Sequence, residues 1–142
     1  MKKYRIGYTQ GVYDMFHIGH LNLINNAKEL CDYLIVGVNS DNLVQSYKHK
    51  EPVINELERA EIVRNIRAVD KCIVVDTLDK LELHDKLQFE AIFIGNDWYG
   101  NPRWMQTKDD LSKIDVDVVF LPHTDGISSS ILKPQSEKRI DD

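Results

Sequence analysis

Two histidines stand three residues apart in the run Gly11-Val12-Tyr13-Asp14-Met15-Phe16-His17-Ile18-Gly19-His20, directly after a short apolar segment. Apolar residues then recur at helical spacing over 15–30 (Phe16, Leu23, Ile24, Ala27, Leu30), so the pair falls at a helix start. A helix start offers free N–H groups and the positive end of its dipole to an anion. Imidazoles three apart on one helix face can donate hydrogen bonds to phosphate oxygens as charge develops on a leaving pyrophosphate. Gly11 permits a tight turn and a close backbone approach, and Gly19 leaves space between the rings. A metal site with Asp14 as a weak further ligand, or a solvated helix face, would use the same spacing. The run is neither GxxxxGK[ST] nor GxGxxG, so kinase and dinucleotide-dehydrogenase readings lose support.

The elements that must position these residues are legible in the hydrophobic pattern. Segments 4–9, 33–38, 72–76, 91–95 and 116–121 read as strands. Helices are expected over 15–30, just after Asn39-Ser40-Asp41, and over 55–66, 78–87 and 107–114. Residues 47–53 read as a surface loop, with Pro52 discouraging regular structure. Asn55 and Glu58 suggest a capping box. This alternation gives an α/β fold with a mainly parallel sheet, and ligands in such sheets bind beyond the carboxyl ends of the strands. Polar residues collect at those ends: 9–20 after the first strand, Lys48 and Lys50 after the second, Lys80 after the third, Asp97 and Trp98 after the fourth, His123 to Ser130 after the fifth. Each has a plain alternative. Lys48-His49-Lys50 could be a solvated basic loop, Trp98 and Trp104 core, and 124–130 a turn with a helix cap.

Bulk properties narrow the class. The 142 residues suit one domain, expected over 1–133, with a polar tail at 134–142. A formal net charge of -5 argues against a bulk nucleic-acid binder. Cys31 and Cys72 form no metal-type pair and read as free thiols of a reducing, cytoplasmic setting. No apolar run approaches the ~20 residues of a membrane span.

Taken together, G-x-Y-D-x-F-H-x-G-H, Glu58-Arg59 with Ile66-Arg67-Ala68-Val69-Asp70, Gly95-Asn96-Asp97-Trp98-Tyr99-Gly100, and the later Gly126-Ile127-Ser128-Ser129-Ser130 resemble the H-x-G-H nucleotidyltransferase superfamily, and within it the cytidylyltransferases. The resemblance implies a Rossmann-like five-stranded nucleotidyltransferase fold. It also implies condensation of CTP with a phosphorylated alcohol to a CDP-alcohol and pyrophosphate, with Mg²⁺ accompanying the triphosphate, in a homodimer. Glycerol 3-phosphate is the leading acceptor by this likeness. Choline or ethanolamine phosphate, another polyol phosphate and a phosphonate are alternatives. So are an ATP-using adenylyltransferase and a nucleotide-binding protein that has lost catalysis.

By the same resemblance His17 and His20 hold the CTP phosphates, and Lys50, with Lys48, reaches them from the loop. Gly11, Val12, Tyr13, Asp14 and Gly19 line the nucleotide, while Arg67, Asp97 and Trp98 fix or wall the nucleoside. Lys80 touches the acceptor. Thr124, Gly126, Ile127, Ser128 and Ser129 contribute N–H groups and hydroxyls. His123 stands where the family carries an arginine. That change replaces a permanent, bidentate cation with a group that titrates near neutrality. Arg103 is a candidate replacement.

Overall fold

The computed structural model describes residues 2–122, so the expected tail and everything from His123 onward lie outside the described residues. Five strands, β1 (Tyr4–Gly11), β2 (Cys31–Asn39), β3 (Lys71–Val75), β4 (Ala91–Gly95) and β5 (Asp117–Leu121), form one sheet in the order β3-β2-β1-β4-β5. Every pairing is parallel, for example Tyr8 with Ile35 and Tyr8 with Ile92. The expected mainly parallel sheet is therefore wholly parallel among the described residues. The strand order reverses between β1 and β4, and that reversal opens a crevice at the carboxyl edge.

The nearly continuous apolar run of β2 is explained by burial on both faces. Alternate residues Leu34, Val36 and Val38 join Ile24 and Ala27 of α1 (Ile18–Glu29) and Ala60 and Val63 of α3 (Glu56–Arg64) in one core. Ile35 faces the other way. It meets Tyr8, Leu83 of α4 (Lys80–Leu87), and Trp104 and Leu111 of α5 (Pro102–Ser112). Tyr8 is fully buried and stacks on Phe89 at 4.9 Å. No helix among the described residues is long and apolar enough to cross a membrane.

Two boundaries differ from expectation for local reasons. The loop expected to begin at Tyr47 starts later, because α2 (Asp41–Lys48), capped by Ser40, runs through Lys48 and ends on His49 in the left-handed region at φ 60. Helix α5 begins at Pro102, five residues before the hydrophobic pattern suggested. Asn101 caps it by accepting from the N–H groups of Arg103 (3.0 Å) and Trp104 (3.3 Å), and Pro102 takes a first-turn position where no N–H is required. The Asn55 cap of α3 is present as expected, accepting from the Glu58 N–H at 3.0 Å.

Candidate active site at the carboxyl edge of the sheet

His17 does not ride on α1; it caps it. Its backbone is extended and its Nδ1 accepts the N–H of Gly19 at 3.0 Å, while His20 Nδ1 accepts the N–H of His17 at 3.2 Å. The two histidines thus build a reciprocal capping box in which imidazoles do the work usually done by a hydroxyl and a carboxylate. The fold-back stacks the rings, with centroids 4.0 Å apart, and the buried His20 is braced edge-on by Tyr13 at 5.5 Å. A ring nitrogen that accepts an N–H carries no proton, so in each neutral imidazole the proton sits on Nε2. The pair therefore carries two Nε2–H groups at a helix start, that of His20 buried, a chemistry that suits phosphate oxygens.

The sharp turn expected at Gly11 falls elsewhere. Gly11 is still strand, paired with Val38, and the chain turns at Tyr13 (φ 55) and Met15 (φ 50). Two consecutive bends of this kind at residues with side chains store strain, which surrounding contacts must hold. Asp14 is one such contact. Its carboxylate accepts the N–H groups of Val53 (2.7 Å) and Ile54 (3.0 Å), so it clasps the segment carrying Lys50 rather than presenting both oxygens to a ligand.

Arg59 is the other, and its role was not anticipated. Wholly buried, it donates from Nε to the Ile54 carbonyl (2.7 Å) and from one terminal nitrogen to the carbonyls of Val12 (2.7 Å) and Asn39 (2.8 Å). The other terminal nitrogen pairs with Asp41 at 2.6 Å. One side chain joins the β1–α1 turn, the end of β2, the start of α2 and the approach to α3. The signals in the sequence were an arginine among the apolar positions of a helix and its place in the Glu58-Arg59 motif, and neither names its partners.

Beside the turn lies a cleft of about 250 Å³ at the β1/β4 reversal. Gln10, Gly11, Asn39 and Ile94 form its base, and Lys48, Lys80, Trp98, Arg103 and Trp104 its sides. The base is a polar relay. The Tyr8 hydroxyl donates to Gln10 Oε1 (2.6 Å), Gln10 Nε2 donates to Asn39 Oδ1 (2.8 Å) and to the Thr77 carbonyl (3.0 Å), and Asn39 Nδ2 donates to the Tyr47 hydroxyl (3.0 Å). Burial holds the Tyr8 phenol protonated far above its ordinary range, so it stays a donor.

Gly37 makes that relay possible, since a Cβ there would land on the Tyr8 hydroxyl. Gly37→Ala is expected to cost about 1–3 kcal/mol through overpacking. Adding Tyr8→Phe should recover part of that loss in urea unfolding; a double variant no more stable than the single one would locate the strain elsewhere.

Lys80 is pressed from two sides. Burial first, then the Arg103 charge, push its ammonium down to about 8, against the opposite pull of Asp79. Its Nζ donates to the Leu78 carbonyl at 2.8 Å and lies 5.1 Å from the Trp104 ring centre, while the Arg103 guanidinium lies 6.0 Å from that of Trp98.

Of the expected site residues, then, the cleft gathers Gly11, Lys48, Lys80 and Trp98, and adds Arg103. Val12, Tyr13, Asp14 and Gly19 belong to the adjoining turn and helix start. Lys50 and Asp97 are exposed at the same carboxyl edge, on the segment after α2 and the short turn Asn96–Trp98, outside the cleft's lining. Arg67 is the exception. It is exposed in the turn between α3 and β3, at the amino-terminal edge of the sheet, because α3 runs back from the site and β3 only begins at Lys71. Within one chain it does not reach the histidines' end. His123, Thr124, Gly126, Ile127, Ser128 and Ser129 lie outside the described residues.

A family model described as cytidylyltransferase-like matches residues 8–135. The chain is 34% identical over 133 residues to the glycerol-3-phosphate cytidylyltransferase of Bacillus spizizenii, which covers 88% of this chain and 92% of that protein. It is also 34% identical over 127 residues to the FAD synthase of Korarchaeum cryptofilum, at 87% and 86% coverage. Similarity to the bifunctional protein HldE of Hyphomonas neptunium is 31% over 140 residues; the match takes in 94% of this chain but only 27% of that longer protein. The crystal structure of a lipopolysaccharide core biosynthesis protein from Thermoplasma volcanium shares the fold, with a TM-score of 0.71 at 21% identity over 85% of this chain and 97% of that one. A reversed-order parallel sheet, a histidine-capped helix at its carboxyl edge and a family match over nearly the whole chain agree: the protein belongs to the cytidylyltransferase-like family and is a nucleotidyltransferase.

Proposed function

We propose that the protein transfers the cytidylyl group of CTP to a small phosphorylated polyol, with glycerol 3-phosphate the first candidate. An oxygen of the acceptor phosphate attacks the α-phosphorus in line. The bond from that phosphorus to the β-phosphate oxygen breaks, and pyrophosphate leaves. No group of the protein is covalently modified, so catalysis is positioning and charge stabilisation. His17 and His20 donate to the triphosphate, Lys48 and Lys50 neutralise it from the α2 side, and Lys80 meets the acceptor.

The observation that carries this reading is the small cationic cleft beside the histidine-capped helix start. At about 250 Å³ it falls below the ~300–1,000 Å³ of pockets for drug-sized ligands, which favours a polyol phosphate over a flavin phosphate. The Gly126-Ile127-Ser128 run supports CTP. The equal identity to an FAD synthase favours a second reading, adenylyl transfer from ATP. Pyrophosphate release with each nucleotide separates them: turnover with ATP equal to or better than with CTP defeats the cytidylyl reading.

Among the described residues no three metal-ligating side chains cluster, and the Asp14 oxygens are already engaged. The Mg²⁺ expected with CTP would be carried by the triphosphate and would offset its charge, and no step above is routed through it.

The Lys80 environment adds a pH signature. Below about 8 the ammonium is charged, and above it the acceptor loses a cation. The KM for the acceptor should rise by about tenfold one unit above that point, while the KM for CTP does not follow it. Removing Arg103 lifts one cause of the depression, so in Arg103→Gln the rise should move to higher pH. A rise at the same pH in both proteins would show that the two cations are not coupled.

A further inference from the structure

Lys80 and Arg103 share three properties that together point to a filter. Each lies over an indole, Lys80 over Trp104 and Arg103 over Trp98. Neither has an ion-pair partner among the described residues. Among the described residues, none that lines their cleft is acidic. The carboxylates nearby in sequence do not line it: Asp79 caps α4 by accepting from Leu81 and Glu82, and Asp97 stands outside the lining. Half-buried Lys80 and exposed Arg103 repel each other, Asp79 offsets this at Lys80 only in part, and an anion relieves the repulsion. An ammonium entering the same cleft meets the cations of Lys48, Lys80 and Arg103 and, among the described residues, no lining carboxylate. The aromatic faces that otherwise welcome quaternary amines already carry the protein's own cations.

We propose that Lys80 and Arg103 select the acceptor by charge. The end of the acceptor remote from its phosphate is a neutral polyol or an anion, phosphorylated amino alcohols are rejected, and Arg103 is the residue that sets this preference. The proposal rests on the transferase reading above, and it assigns Arg103 to the acceptor rather than to the nucleotide.

The test compares kcat/KM for glycerol 3-phosphate, 3-phosphoglycerate, phosphoethanolamine and phosphocholine in the wild type, Arg103→Gln and Arg103→Glu. The wild type should favour the first two over the amines by on the order of a hundredfold. Arg103→Glu should shrink that ratio at least tenfold, with phosphoethanolamine use rising outright and the KM for CTP unchanged. Comparable wild-type use of phosphoethanolamine overturns the proposal, as does an unchanged ratio in a folded Arg103→Glu. If Arg103→Glu does not fold, Arg103→Gln and Lys80→Met carry the same comparison. Running the panel with ATP as well as CTP separates a wrong nucleotide from a wrong acceptor. Calorimetric titration of each acceptor into nucleotide-free protein gives the same ranking without turnover, and equal or tighter binding of phosphoethanolamine there is equally fatal.

Discussion

Arg59→Ala is expected to lower stability by about 3–5 kcal/mol, on the order of 10–15 °C in Tm. The side chain is wholly buried and its loss strands four acceptors at once: the carbonyls of Val12, Asn39 and Ile54 and the Asp41 carboxylate. The buried carbonyls of Val12 and Asn39 left without donors carry their full desolvation penalty, which exceeds the modest worth of the bonds themselves, while the part-exposed Asp41 keeps the Glu56 N–H. Arg59→Lys is informative because it preserves the charge. A single ammonium cannot reach Val12, Asn39, Ile54 and Asp41 together, so it should recover only part of the loss. The effect should also reach the site. Val12 opens the strained turn at Tyr13 and Met15, and releasing its carbonyl loosens the approach to His17. Urea unfolding measures the first effect, and CTP affinity at a temperature where the variant remains folded measures the second. An Arg59→Ala protein within about 1 kcal/mol of wild type would mean that these groups find water instead, and that the clamp is not what holds the turn.

What the sequence disclosed and what it withheld follow the range of the forces involved. The strands were legible because burial on both faces forces apolar runs, as over Leu34–Val38. The Asn55 cap was legible because it acts within one helical turn. Helix α5 was placed too late because its start is written in Asn101 and Pro102 rather than in hydrophobic spacing. The histidine pair was legible as chemistry but not as geometry: spacing suggested two residues on a helix face, whereas His17 leaves the helix to cap it. The Arg59 clamp, the Asp14 clasp and the Gly37–Tyr8 fit join residues as far as 47 positions apart, and no local pattern encodes them. The position of Arg67 was hidden for the converse reason. Its place in a motif said nothing about which edge of the sheet the turn after α3 occupies.

The histidines allow structure and chemistry to be separated by substitution. His17→Asn keeps an N-cap acceptor for Gly19, and His20→Gln keeps a side chain able to accept the His17 N–H, as glutamine does in ordinary capping boxes. His17→Asn should therefore stay within about 0.5 kcal/mol of wild type, whereas His17→Ala loses about 1 kcal/mol with the cap. His20→Gln will cost more than His17→Asn, because His20 is buried, stacked on His17 and packed against Tyr13 and Phe16. In turnover the order is different. On the proposed reaction, either replacement removes an imidazole Nε2–H from the leaving pyrophosphate, and each should lower kcat by about 10²–10³. Each acts where charge appears only as the bond to the β-phosphate breaks, so the loss should fall on kcat more than on the KM for CTP. A His17→Asn enzyme that is stable and turns over at the wild-type rate would reduce His17 to a helix cap, and would leave His20 and the lysines of α2 and its following segment to stabilise the leaving group. If both conservative variants stay folded and active, the imidazoles serve only to shape the turn. The phosphate-gripping role then has to be sought among the cations of the cleft.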